Sequence, residues 1–206
     1  MNELFISAFV TLFVVIDPPG CAPIFAGLTA GTPVRHRRTM ALRSTLVASA
    51  ILMGFAAVGQ AFLNALGVSL VAFRIAGGIM LFLIALEMVF EKRTARREIR
   101  AEGVKATEHE DISIFPMGIP MIAGPGSIAS AMLLTARARG WQEHLVVYGA
   151  LASVMVLTLI ALLIAGPLMR LVGEKIEAMI TRILGVILAA LAVQFVIDGL
   201  RTVFEI

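Results

Sequence analysis

Two short stretches carry residues whose types and spacing could do chemistry inside an otherwise apolar chain: Asp17-Pro18-Pro19-Gly20-Cys21-Ala22-Pro23 and Gly124-Pro125-Gly126-Ser127. Pro18, Pro19 and Pro23 supply no N–H, so the carbonyls of Val14, Val15 and Pro19 lose their helical partners. Asp17, standing before a proline, is pushed away from helical dihedrals as well. A helix that restarts after such a break presents N–H groups with no partner of their own and about half a positive charge. Those donors are expected around Gly20 and Cys21 in the first stretch, and around Gly126, Ser127 and Ile128 in the second. Two such ends could hold a carboxylate between them without a buried Lys or Arg. Gly20 and Gly126 would let a ligand approach the backbone closely, and Ser127 would add a hydroxyl. Asp17 could accept from a substrate ammonium or take up a coupling proton. Asp followed by Pro is also a good N-cap followed by a good first helical residue, so capping is an equally available role. The substrate-binding set these stretches suggest is Asp17, Gly20, Cys21, Gly124, Gly126 and Ser127.

The elements that must position these residues are membrane helices. Of 206 residues, 59% are hydrophobic and 15% charged, and the mean hydropathy is +0.96; soluble domains are nearer a quarter charged. Several apolar runs exceed the ~18 residues that mark a membrane helix. Each interior proline costs such a helix ~3 kcal/mol, and a central Asp another ~2.5–3.5 kcal/mol. A break tolerated at that cost points to a use for it. Six spans are expected: about 4–30, interrupted at Asp17-Pro18-Pro19-Gly20; 39–65; 68–90, with Arg74 and Glu87; 112–135, broken at Pro116, Pro120 and Gly124-Pro125-Gly126; 143–171; and 176–200, with Arg182, Gln194 and Asp198. They form a single membrane domain over 1–206, with a charged loop at 91–111. Cys21 is the sole cysteine, so no internal disulfide exists. Met1-Asn2-Glu3 lacks the basic start of a cleavable leader. The net charge of +3 does not suggest nucleic acid, because the basic residues lie in the loops of a membrane protein. No ligand-like spacing of histidines supports a metal site, and no cofactor is expected.

Lys and Arg are distributed unequally between the two sides. Thirteen of the seventeen fall in the connections after the first, third and fifth spans or beside them. By the positive-inside rule that side is cytoplasmic and both termini are periplasmic. Within the chain, Pro19-Gly20 and Leu28-Thr29-Ala30 recur 106 residues later as Pro125-Gly126 and Leu134-Thr135-Ala136. Arg74-Ile75-x-Gly77-x-Ile79 recurs 108 residues later as Arg182-Ile183-x-Gly185-x-Ile187. The two signatures, in the same order at nearly one offset, suggest a duplication, with repeat 1 at about 1–90 and repeat 2 at about 112–206. Three spans per unit would invert the second copy, giving a 3+3 inverted repeat with the first and fourth spans broken at the membrane midplane. That is the sequence pointer to a transporter whose site lies there. Arg74 and Arg182 stand near helix starts, where the dipole disfavours a cation. They are candidates for gating or for pairing with Asp17 or a substrate carboxylate; snorkelling to headgroups is the alternative.

Asp17-Pro18-x-Gly20-x-x-Pro23, Pro116-x-x-Ile119-Pro120-x-Ile122-Ala123-Gly124-Pro125-Gly126-Ser127-Ile128, and Arg182-Ile183-x-Gly185 with Gln194-x-x-x-Asp198-Gly199 resemble the MarC family of integral membrane proteins. The resemblance covers nearly the whole chain. It implies a six-span protein of the inner membrane, in a family also grouped with neutral amino acid transporters. The reading it favours is a secondary transporter of small neutral amino acids or similar zwitterions, coupled to H⁺ or Na⁺, and not an enzyme. Export of drugs or other metabolites, and a membrane-embedded enzyme acting on lipid or quinone, are the alternatives. The expected partners are the bilayer and a small-molecule substrate, with a homo-oligomer left open.

Overall fold

Proline and glycine punctuate the helices. The computed structural model describes residues 1–90 and 111–204, the side chains of 168–175 and 177 excepted. Among these residues the chain is all helical, without a strand: α1 (Asn2–Ile16), α2 (Pro18–Leu28), α3 (Val34–Ala65), α4 (Leu70–Val89), α5 (Ser113–Ile122), α6 (Pro125–Arg137), α7 (Gly140–Leu163) and α8 (Ala165–Phe204). Five stretches are long and apolar enough to cross a membrane: Asn2–Leu28 taken through its break, Val34–Ala65, Leu70–Val89, Gly140–Leu163 and Ala178–Phe204. The pair α5 and α6, bent by 57°, makes a sixth if counted as one span. The expected loop at 91–111 lies outside the described residues except for Asp111, whose carboxylate meets Arg43 of α3 at 2.8 Å and accepts from the Ser113 hydroxyl.

Two expectations need correction. The first half of the fourth span is not an α-helix. Phe115 (φ −128°, ψ 130°) and Ile119 (φ −131°, ψ 128°) are extended, because each precedes a proline that disfavours helical angles in the residue before it. The backbone between them closes wide turns, with Met117 N–H donating to Ile112 (3.2 Å) and Ala123 N–H to Gly118 (3.0 Å). The boundary between the fifth and sixth spans also moves. No turn falls near residue 173; α7 stops at Leu163 and α8 runs 40 residues from Ala165. Pro167 explains the shift. It cannot continue α7, yet it fits the first turn of a new helix, where the missing N–H has no partner to lose.

α4 packs along α8 more extensively than any other pair. Their directions are opposed: Gly185 lies against Met88 and Gly199 against Ile75. A Cβ on Gly78 would sit 2.8 Å from the Ala192 carbonyl oxygen, and one on Gly185 would sit 2.9 Å from Met88 Cβ. Glycine lets these backbones touch, the contact on which membrane helices rely when lipid removes the hydrophobic drive to associate. Among the other packings are three matched sets: α1 on α7 and α5 on α3, α2 on α8 and α6 on α4, α2 on α7 and α6 on α3. Inside lie Leu12, Ile16, Phe25, Leu52, Ile122 and Leu151, all fully buried. Most large side chains on the outer faces of α4, α7 and α8 are exposed, as lipid contact requires.

Candidate functional site

The first break is built by one residue. Asp17 is 1% exposed and adopts left-handed angles (φ 60°, ψ 65°), ending α1 and beginning α2. Outside glycine, Asp and Asn tolerate this region best. Its Oδ1 accepts from the Gly20 N–H (3.1 Å) and its carbonyl from the Cys21 N–H (3.0 Å). Because the Gly20 N–H turns to the side chain, the Ile16 carbonyl is left without its helical donor, and the Cys21 thiol donates to it instead at 3.5 Å. The capping role foreseen for Asp17 is therefore present. The two prolines have no N–H, and the next two amides both go to Asp17, so the start of α2 is satisfied from within. The donors expected there for a ligand are engaged. The missing Cβ of Gly20 also has an internal reason: a methyl there would lie 2.2 Å from Asp17 Oδ2.

The second break is left open. Gly124 (φ −84°, ψ 170°) caps α6 with no side-chain bond, Pro125 takes the first helical position, and the Ile128 N–H is the first to find a carbonyl, that of Gly124 at 3.0 Å. The amides of Gly126 and Ser127 meet no acceptor among the described residues, although both residues are buried. Leaving such a donor buried and unpaired costs about 1–3 kcal/mol. Pro125 itself is exposed, so this turn borders accessible space. The breaks adjoin one another: a Cβ on Gly126 would sit 3.4 Å from Val15, two residues before Asp17, and 2.4 Å from Ile84 of α4. Close packing against Ile84 and Val15 accounts for the small residue at 126. At Gly124 a Cβ would meet the Pro120 carbonyl oxygen at 2.6 Å.

Ser130 escaped the reading of the sequence. It is 0% exposed, and its hydroxyl has no hydrogen-bond partner among the described residues. Buried hydroxyls elsewhere donate back to the carbonyl four residues earlier, as at Thr11, Thr29, Ser44, Thr45, Thr135 and Thr158. Ser130 lies one turn into α6, on the face it shares with Gly126 and Ser127. The signal was its spacing from Ser127, which a Gly-Ser-Ile-Ala-Ser run hides among small packing residues.

The arginines are elsewhere. Arg74, half-buried near the start of α4, makes no ion pair with Asp17. Arg137, the last residue of α6, meets Asp198 of α8 at 2.8 Å, and its guanidinium covers the Phe195 ring at 4.4 Å. Arg182 is exposed on α8. No group of three His, Cys, Asp or Glu able to hold a metal occurs among the described residues.

Comparison with known proteins agrees with this all-helical, membrane-crossing chain. The family described as MarC family integral membrane protein matches residues 2–204. A UPF0056 membrane protein of Methanocaldococcus jannaschii is 37% identical over 202 residues, 97% of each chain. The UPF0056 inner membrane protein YhgN of Escherichia coli K12 is 35% identical over 201 residues, 98% of each chain. The UPF0056 membrane protein YvbG of Bacillus subtilis is 32% identical over 207 residues, covering this chain whole and 98% of the relative. No solved structure matches the chain. A match from one end of the chain to the other, on a framework whose helices cross a membrane five to six times, means that this protein belongs to the MarC family of integral membrane proteins.

Proposed function

We propose that the chain is a secondary transporter of small neutral amino acids or similar zwitterionic metabolites, held where its two broken spans meet. The observation that carries this reading is the start of α6. Two buried amides, Gly126 and Ser127, and the buried Ser130 hydroxyl one turn on all lack acceptors among the described residues, beside Val15 at the Asp17 break. Three donors at the positive end of a helix suit a carboxylate. The substrate's ammonium would then face the Asp17 carboxylate and the backbone carbonyls near the first break. The two breaks play unlike parts, α6 as the anion seat and Asp17 as the acidic side. Asp17 is also the group to carry a coupling proton, with Na⁺ coupling the alternative.

A 3+3 inverted repeat supports this arrangement. Exchanging 1–90 with 112–206 turns the packing of α1 on α7 into that of α5 on α3, α2 on α8 into α6 on α4, and α2 on α7 into α6 on α3; α4 and α8 run antiparallel. Thr29 and Thr135, equivalent in the repeat, make the same back-bond four residues earlier. Asp17 follows a helix of 15 residues and precedes one of 11, about 22 Å and 16 Å at 1.5 Å per residue, which puts the break near the middle of a bilayer core of ~30 Å. We place the chain in the inner membrane, as the Escherichia coli relative's name says of that protein, with both termini periplasmic.

Proteoliposomes loaded with the purified chain test the reading. Uptake or exchange of glycine or alanine is expected, and it should be lost in Asp17→Asn and Ser127→Val. Absence of flux for every neutral amino acid, under both proton and sodium gradients, would remove the proposal.

A further inference from the structure

The four arginines of α3, Arg35, Arg37, Arg38 and Arg43, all fall in its first ten residues, and the helix contains no Asp or Glu. Arg43 is neutralised by Asp111 at 2.8 Å. Arg37 turns towards the protein, where a Cβ on Gly166 would sit 3.4 Å from its Nη1. Arg35 and Arg38 are exposed and meet no carboxylate among the described residues. Together with Val34, Thr39 and Leu42 they line a surface groove of about 480 Å³. The Thr39 hydroxyl is already committed to the Arg35 carbonyl at 3.1 Å, so the two guanidiniums are the donors this groove offers.

The groove lies at a definite depth. α3 has 32 residues, about 48 Å at 1.5 Å per residue, against a hydrocarbon core of ~30 Å. The excess falls at the arginine end, because every charged residue of the helix is there. Residues 34–43 therefore stand at headgroup level. Arg35, Arg38, Leu42 and Leu46 follow one another at helical spacing down a single face, and both leucines are exposed.

We infer that this groove binds one anionic phospholipid, its phosphate held by Arg35 and Arg38 and its acyl chains laid along Leu42 and Leu46. Guanidinium takes phosphate oxygens in pairs, and the volume falls in the range of small-molecule pockets. The charge is complementary, two cations with no anion of the protein's own to compete. A soluble phosphate would satisfy the arginines and leave the leucines idle. Positive charge alone, without the groove, would make Arg37 the equal of its neighbours. The site stands whether or not the chain transports amino acids.

Native mass spectrometry of the full chain, released from micelles holding equal amounts of phosphatidylglycerol and phosphatidylcholine, counts the lipids retained. One phosphatidylglycerol should be kept in preference to phosphatidylcholine. Arg35→Gln and Arg38→Gln should each cut that preference about fivefold, and the double variant about thirtyfold, given what a basic residue contributes at an anionic surface. Arg37→Gln removes the same charge from the same end and should leave the preference unchanged. Glycerol phosphate added at the lipid's own concentration should not displace it. Equal retention of the two lipids by the wild type overturns the inference. So does a loss in Arg37→Gln as large as in Arg35→Gln, the mark of diffuse attraction, or displacement by glycerol phosphate, the mark of a solute site.

Discussion

Alanine at position 20 would drive a methyl group into the one carboxylate that builds the first break. The new Cβ would lie 2.2 Å from Asp17 Oδ2 and 2.8 Å from its Cγ, so the carboxylate must swing away. That forfeits the cap on the Gly20 N–H, worth ~0.5–2 kcal/mol, and forces a poorer rotamer at ~0.5–1.5 kcal/mol. Against this, alanine is the better helix former by up to ~1 kcal/mol. The net expectation for Gly20→Ala is a loss of about 1–2 kcal/mol. In an Asp17→Gly background the left-handed backbone is kept at ease and the obstacle is gone, so Gly20→Ala should instead gain up to ~1 kcal/mol. The coupling between the two sites is then about 2–3 kcal/mol. The chain carries its own reporter, because Cys21 is the sole cysteine and is fully buried. Heating the four proteins in mild detergent with a thiol-reactive fluorophore reads the temperature at which it opens. An equal cost of Gly20→Ala in both backgrounds would refute the reasoning.

Three further outcomes follow from the same geometry. Ser130→Ala should raise thermal stability by about 1 kcal/mol or more without substrate, because it deletes a buried hydroxyl that has no partner; lowered stability in unliganded protein would count against the open donor. Gly78→Ala should cost ~1–3 kcal/mol by overpacking against the Ala192 carbonyl, whereas Gly54→Ala, with nothing within 4 Å, should be neutral or gain up to ~1 kcal/mol; chemical denaturation in mixed micelles compares them. The Ser113 hydroxyl foremost, and Arg43 after it, hold the Asp111 carboxyl below its usual range. A depressed folded pKa stabilises above the unfolded value and loses that contribution as pH falls through the folded one. Melting temperature should therefore drop less on acidification in Asp111→Asn than in the wild type, by an amount worth under ~1 kcal/mol for so exposed a pair.

How much was readable in advance depended on whether the deciding contact was local. Asp17-Pro18-Pro19 announced an interruption because proline acts on its own neighbours, and α1 ends and α2 begins at Asp17. The choice between capping and open donors was not readable: it turned on the Asp17 side chain folding back onto residue 20, a rotamer that composition does not encode. Pro116 and Pro120 flagged irregularity, but not the wide turns between them. Pro167 was placed inside the fifth span, because a proline that cannot continue one helix can equally start the next. Arg137 was not among the candidate residues, because its partner Asp198 lies 61 residues away on another helix. Only the register of α6 against α8 reveals that pair. Ser130 fell between these cases, being local in spacing yet meaningful only once its hydroxyl was seen to be idle.

The glycine seam between α4 and α8 has a mechanical consequence. Where Gly78 and Gly185 sit against the Ala192 and Ala85 carbonyls and short side-chain atoms of Val196, Met88 and Val89, little is available to cushion sliding, and separation would open a void at the contact. If the two halves of this protein rock against each other, the seam must serve as the axle. Residues along it would keep their spacing while α3 and α7, which pack less on α4 and α8 than α2 and α6 do, sweep the larger arc.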